Sequence, residues 1–471
     1  MPDPGDPPGA QAFTAWWGSS PPRSGVRSLH VVLRRAVDRV LAGVASVALR
    51  LLFRSIEIEG LENLPRHRPM VVVANHFNGF VDPVLLVRGL HRLPRFLAKA
   101  TLWKVVVARP FLALAGIIPV HRPEDHDDAT GNTSTFRTCH EVLAKGAVVA
   151  LFPEGTTHDR PALDRVRTGA ARIALGATAA GVEGLMVVPV GLVFDDKLAL
   201  RSRAAVRVGA PIDLDGDIDT YVRPGGEVGE ENRDAVRRLT ADIDQRLRDV
   251  APEYDSVRER AVFGRAADIA LRTPEMRRGA RVPLVEREEL GQRLAGRPGP
   301  ERDAVADATA HYQLDLDLAG LTDPDVVGHQ RVRSLLGHAV AATILAVVLA
   351  PIALAGLAAN IIPYWIVAFV GRRVEVPVTK GTVRLLTAIV VFPLSWIAWS
   401  LWAEWPSWAE LVISFVLAPI LGLVAVFMLE FVAQVWRSWR AWQSVRERRA
   451  LLGPLREQRR ALVALVDTQA R

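Results

Sequence analysis

The sequence predicts an α/β domain, a mixed sheet flanked by helices, followed by C-terminal transmembrane helices. Two observations carry this. Between residues 56 and 212, short β-branched runs alternate with helical stretches, the pattern of a layered α/β domain. Past residue 334 the composition shifts to long runs without Asp, Glu, Lys or Arg, longer than a soluble core helix needs.

The elements follow in order. Residues 1–25 are rich in Pro, Gly and Ser and read as a disordered leader; no apolar stretch directly follows the start, so no signal peptide is expected. Residues 26–55 read as an amphipathic helix, with Val32, Leu33, Val37, Val40, Leu41, Val44, Val47, Ala48 and Leu51 at three- and four-residue steps. Its arginines leave too short an uncharged stretch to span a bilayer. It is expected either to lie on a membrane surface or to pack on the soluble domain. Strands are predicted at Met70–Ala74, Gly116–Val120, Ala147–Phe152 and Leu185–Phe194, with a helix over Thr168–Ala180. Residues 213–334 read as a polar helical extension and linker, including an amphipathic helix over Glu230–Val250.

The membrane region is expected over 335–436. Leu335–Val370 has 36 uncharged residues, and Leu385–Ala403 and Leu411–Leu429 have 19 each. As one helix the first run would be about 54 Å long, against a hydrocarbon core of ~30 Å. Pro351, Asn360 and Pro363 are places to break it, so a hairpin or interfacial segment is expected there, and two spans after it. Arg372, Arg373, Lys380 and Arg384 lie between the first run and the second, whereas Glu404 and Glu410 lie between the last two. The positive-inside rule then puts 371–384 and the arginine-rich tail 437–471 on the cytoplasmic side. Arg331 and Arg333 precede the first run, which also favours a hairpin. Trp396, Trp399, Trp402, Trp405 and Trp408 would form an aromatic belt near the outer link.

The net charge is +7, and only five of the 58 basic residues are lysines. Arginine-biased codon usage accounts for this as well as attraction to an anionic surface does. Of such surfaces, membrane lipid fits best, because long apolar runs lie beside the basic clusters. Nucleic acid fits poorly, because no recognisable module interleaves the cations with stacking aromatics. One cysteine, Cys139, excludes an internal disulfide and a multi-cysteine metal site, and suits a reducing compartment.

Four blocks carry chemistry. The first, Ala74 to Pro83, holds His76 and Asp82. A neutral imidazole can take a proton from an alcohol near neutral pH, and a carboxylate on its other nitrogen fixes the tautomer. By itself, such a pair is more often a turn and a helix cap. The second, Gly116 to Arg122, offers an arginine fork for a phosphate. The third, Phe152 to Arg160, offers Glu154 for acceptor hydroxyls and Gly155 for close backbone approach; Arg160 and Arg167 add positive charge. The fourth is Val187 to Gly191. Each alone reads as a loop after a strand; four in this order are harder to dismiss.

Together these blocks resemble the glycerol-3-phosphate and lysophosphatidic acid acyltransferase superfamily, over roughly residues 55–215. That family carries Asn-His with a downstream Asp, then Gly-x-Ile-Pro-Val-x-Arg, Phe-Pro-Glu-Gly, and an apolar strand with a proline. The resemblance implies His76 as base and Asp82 as its orienting partner. It implies substrate contacts from Asn75, Arg122, Glu154, Gly155, Thr156, Arg160 and Arg167, with Pro189 shaping the acyl site. It further implies an acyl thioester donor on coenzyme A or acyl carrier protein, a glycerol-3-phosphate or lysophospholipid acceptor, and no metal or organic cofactor. Five residues separate His76 from Asp82 where most members have four, so the segment between them must be looped differently. Asn-His-x-Asn-x-Phe-Val-Asp-Pro and Phe-Pro-Glu-Gly-Thr-Thr-His-Asp-Arg look like the fungal glycerol-3-phosphate acyltransferases, which tilts the acceptor toward glycerol-3-phosphate. Thr157-His158 stands where many lysophosphatidate enzymes have Arg-Ser, so Arg160 or Arg167 would take over that phosphate contact. A second class, a membrane lipid-binding scaffold without catalysis, would not need His76, Asp82, Glu154 and Arg122 together. A serine hydrolase would need a Gly-x-Ser-x-Gly elbow, which is missing.

Overall fold

The run Met70–Ala74 (β2) is buried on both faces, which only a central strand between two helical layers requires. The structure, a computed structural model, describes residues 36–467 except 40, 44, 47, 48, 51, 91, 105–108, 121–129, 198, 200, 277, 278, 328–331, 376 and 403–406. The leader 1–25, Arg122, Arg331, Glu404 and Trp405 therefore lie outside the described residues. The chain divides into two units, at Glu253 and Tyr254.

In the first unit, β2 lies between Val148–Leu151 (β5) and Met186–Phe194 (β6), parallel to both. The sheet continues on one side through Arg95–Lys99 (β3) to Ile118–Val120 (β4), and on the other through Ser202–Val208 (β7) to Phe53–Glu59 (β1). β7 runs antiparallel to β6, as does the short Ile212–Asp213 (β8), so the sheet is mixed. Side chains alternate across it, and Arg109–Ala115 (α2) and Leu214–Tyr221 (α5) are shorter helices of the same unit. Val71, Val73 and Val187 face a cluster with Thr130–Ala144 (α3), Gly169–Ala179 (α4) and Arg233–Val250 (α6). Met70, Val72 and Val188 face Leu85 and Leu86 of Val81–Leu90 (α1). Leu49 is buried in this second cluster, with Ala42 and Ala45 against it, so the N-terminal helical residues pack on the sheet.

Three expectations are corrected here. Phe53–Ser55, taken from their apolar period as the end of a helix, begin β1, because that edge pairs in parallel with β7. The domain does not stop near 212. Val236, Leu239, Ile243 and Leu247 of α6 form a stripe that closes the core, and Gly191 lets its end sit against β6. The third concerns 335–370, below.

The second unit joins four helices, Val257–Leu271 (α7), Leu284–Ala295 (α8), Gly299–Ala319 (α9) and Leu452–Asp467, around Tyr312, Leu316, Leu290 and Leu462. The tail is thus folded: Arg459 bonds Asp323 and the carbonyls of Ile269 and Arg272. Between lie three helices long and apolar enough to cross a membrane, within Val332–Arg373, Pro377–Trp402 and Trp408–Glu447. Val332–Arg373 is one helix, not a hairpin. Its prolines each remove one internal hydrogen bond, which transmembrane helices tolerate when neighbours pack closely. Here Gly356 brings the helix onto the backbone of Leu421. Asn360 donates to the carbonyls of Gly356 and Ala418 and accepts from Trp396, so it joins helices instead of breaking one.

Candidate active site

Parallel strands β2 and β5 end side by side, and the chain leaving each carries one of the four blocks. Such C-terminal strand edges are where open α/β sheets place their ligands. After β2, residues 77–80 form a loop with Gly79 at φ +42°, and Val81 N–H closes on the Asn78 carbonyl before α1 begins. This loop absorbs the fifth intervening residue. Asp82, in the first turn of α1, reaches back to His76, with Nδ1 to Oδ2 at 2.9 Å. Asn78 N–H donates to the same oxygen at 2.7 Å.

Asp82 is fully buried, and its Oδ1 has no hydrogen-bond partner among the described residues. A carboxylate can only accept, so His76 Nδ1 carries the hydrogen and Nε2 presents a lone pair. Nε2 has no partner among the described residues, and the side chain is 16% exposed. The ring stacks on Phe152 at 4.0 Å, which fixes its plane. His76 is thus oriented from behind and open in front.

Glu154 differs from its expected place. Its side chain is fully buried, and three donors surround it: His76 N–H at 2.6 Å, Asp164 N–H at 2.8 Å and His158 Nε2. It cannot reach an acceptor hydroxyl without breaking these bonds; it ties the two strand-end loops together. His158 is held by Arg160 N–H on Nδ1, which assigns hydrogen to Nε2, and its own N–H donates to the His76 carbonyl. Gly155, at φ +77°, allows Arg167 to pass where a Cβ would lie 2.9 Å from Nε. The loop returns to the strand end through Arg167 N–H to the Pro153 carbonyl at 2.9 Å.

Asn75 is likewise corrected. It is fully buried, and its amide bonds both the carbonyl and the N–H of Leu192, at 3.0 and 2.7 Å, so it locks β2 to β6 instead of touching a substrate. Pro189 lies inside β6, beside Gly209 and opposite Val73, buried in the sheet and not on an open site wall. Its carbonyl accepts from Gly209 N–H, so its nitrogen faces the same edge, in the gap between β8 and β7 where no ladder bond is lost.

Thr156, Arg160 and Arg167 are exposed around the site, with Arg160 paired to Asp164. The Arg165 N–H, with Arg160 beside it, holds the Asp164 carboxyl below the usual range. Two residues without an assigned role belong here. His158 stood inside the third block. Lys197 lies just past β6, pairs with Asp159 and sits 5.7 Å over the Phe77 ring; its only sequence signal is a rare lysine after a strand. Cys139 is buried in α3, and burial pushes its thiol up, so it is no nucleophile.

Residues 55–193 match the family model described as Acyltransferase. Over 131 residues the chain is 37% identical to glycerol-3-phosphate O-acyltransferase 2 of Saccharomyces cerevisiae, covering 27% of this chain and 17% of that protein. Over 147 residues it is 33% identical to the chloroplastic 1-acyl-sn-glycerol-3-phosphate acyltransferase of Arabidopsis thaliana, covering 31% and 38%. The chain therefore spans well under half the length of these relatives. The crystal structure of the 1-acyl-sn-glycerophosphate acyltransferase of Thermotoga maritima is 19% identical, with a TM-score of 0.35, over 51% of this chain and 86% of that one. The segment that matches the Acyltransferase model, residues 55–193, is followed in the same chain by three apolar helices of membrane-spanning length.

Proposed function

We propose that this protein transfers a fatty acyl group from a thioester donor to a hydroxyl of glycerol-3-phosphate, giving lysophosphatidic acid. The observation that carries the reading is the His76–Asp82 pair, with Nδ1 held by a buried carboxylate and Nε2 open to the site. The acceptor hydroxyl attacks the thioester carbonyl carbon as Nε2 takes its proton. The imidazolium that forms is stabilised by Asp82. The tetrahedral adduct expels the thiolate, which regains that proton and leaves as a thiol. Atoms and charge balance without an acyl-enzyme, a metal or an organic cofactor.

Lys197, Arg160 and Arg167 are described cations on or against the third block, and they suit the acceptor's phosphate. Arg122 is proposed for the same role from its motif. Glycerol-3-phosphate is preferred as acceptor on the likeness to the yeast enzyme, and 1-acylglycerol-3-phosphate is the second reading on the likeness to the plant enzyme. The apolar helices would hold the catalytic domain at the bilayer, where acyl chain and product partition. A cytoplasmic face for the domain is the reading supported by the arginine-rich tail 437–471, which packs on the helices that precede Val332; as one crossing helix, Val332–Arg373 would carry its own basic end, Arg372 and Arg373, to the opposite face. Purified protein offered each acceptor with one labelled acyl thioester tests the choice. Label in lysophosphatidic acid from glycerol-3-phosphate supports it; label only in phosphatidic acid, from the acylated acceptor, replaces it with the second reading.

A further inference from the structure

Away from the His76 pocket, the loop 163–168, the first turn of α4 and one side of α6 enclose an open groove of about 730 Å³. Five arginines line it: Arg165, Arg172, Arg233, Arg237 and Arg248. The single acid in its lining, Asp244, is already bonded to Arg248. Arg237 pairs with Asp234. The guanidinium groups of Arg165, Arg172 and Arg233 make no hydrogen bond or ion pair among the described residues, although Arg172 lowers the proton affinity of Glu230 through its charge. Converging cations that outnumber their counter-charges raise one another's energy, which a bound anion relieves. Between them, Val166, Val236 and Ala241 supply apolar wall. Unpaired planar forks beside apolar surface suit a ligand with phosphates and a flat body, because arginine both chelates phosphate and stacks on rings. The volume is that of a small-molecule site.

The groove is also tied to the chemistry. Arg165 follows Asp164, whose N–H bonds Glu154, and Glu154 bonds the His76 N–H. One loop is thus a wall of the groove and a brace of the site.

We propose that this groove binds the phosphorylated nucleotide end of the thioester donor, so that the donor is an acyl-coenzyme A. This rests on the acyl-transfer reading above. A protein carrier would present carboxylates over a broad surface, whereas this is a concave, part-apolar groove.

The test uses the full chain in detergent micelles. Calorimetric titration with 3′,5′-ADP, which has the nucleotide phosphates and no thiol, reads the groove without turnover. Wild type is expected to bind it, and the triple variant R165A/R172A/R233A to bind about tenfold or more weakly, since the loss of even one charged contact costs that much. The triple lysine variant R165K/R172K/R233K keeps the charge, loses the fork, and is expected between the two. In the transfer assay, the alanine variant should raise KM for acyl-coenzyme A by about tenfold or more. Its kinetics with the acyl thioester of pantetheine, which lacks the nucleotide, should stay as in wild type. No binding of 3′,5′-ADP to wild type, or equal binding to wild type and the alanine variant, overturns the proposal. Transfer from acyl carrier protein that depends on these arginines, without 3′,5′-ADP binding, overturns it in favour of a protein donor. Arginine-dependent binding of 3′,5′-ADP with no transfer from any donor supports the groove and removes the acyl-transfer reading alone.

Discussion

Replacing Glu154 by glutamine separates a brace from a ligand-binding carboxylate. Two oxygens accept from three donors: His76 N–H on Oε1, Asp164 N–H and His158 Nε2 on Oε2. Glutamine keeps one acceptor oxygen and adds a donor. In its better orientation the oxygen faces Asp164 and His158, and the new NH2 meets the His76 N–H head on. At least one charge-assisted bond is lost, and two donors confront each other at a buried position. Each loss at a buried charged group is worth about 1.5–3 kcal/mol. For a unit of this size that lowers the thermal midpoint by roughly 3–12 °C. The displaced backbone of His76 should also lower kcat, by about tenfold or more. The assay pairs thermal unfolding in detergent with kcat and KM for each acceptor. A variant with the wild-type midpoint and kcat, and only a raised acceptor KM, would refute the brace and restore Glu154 as a substrate contact.

Asp82→Asn should keep the fold but lose the acceptor that fixes the His76 tautomer, lowering kcat by about 10²–10⁴-fold; retention of a tenth of the activity in steady-state assays would count against the pair. Gly191→Ala places a Cβ 2.0 Å from the Val250 carbonyl, so α6 must shift. Unfolding by urea should show a loss of about 1–3 kcal/mol, and a change under about 0.5 kcal/mol would refute that close approach. Arg68 grips both oxygens of Asp213 at 2.8 Å, and this bond holds the Asp213 carboxyl below its ordinary value of 3.8. A folded value below the unfolded one gives stability that is present above pH 3.8 and lost as pH falls through the folded value. The pair is more than a third exposed, so its worth is under about 1 kcal/mol. Asp213→Asn should therefore be slightly less stable than wild type at neutral pH and equal to it in strong acid; a gap that widens on acidification would contradict the sign.

Much of the central sheet was legible because β2, β5 and β6 are short, apolar on both faces and bounded by turns. The edge strands were not. Phe53–Glu59 continues a helical stretch and alternates only over Ile56–Glu59, while Arg95–Lys99 is too short to show a period. Ser202–Val208 has two alanines and two arginines among seven residues. Their pairing comes from partners distant in sequence. The site's residue types were legible, but not the direction of each side chain. Glu154 and Asn75 lie beside His76 in or next to motifs, yet both turn inward, to N–H donors that a one-dimensional pattern does not reveal. The long helix Val332–Arg373 misled in the opposite sense. Pro351 and Pro363 are breakers in water, and only the packing at Gly356 and Asn360 shows why the helix continues.

The central claim is that His76 is the base of an acyl transfer, and one comparison addresses it most directly. A labelled acyl thioester is offered with glycerol-3-phosphate to purified wild type and His76→Ala, with equal folding shown by their unfolding midpoints. The account predicts labelled lysophosphatidic acid from wild type and a rate at least about 10²-fold lower from the variant. Equal product from both would contradict it.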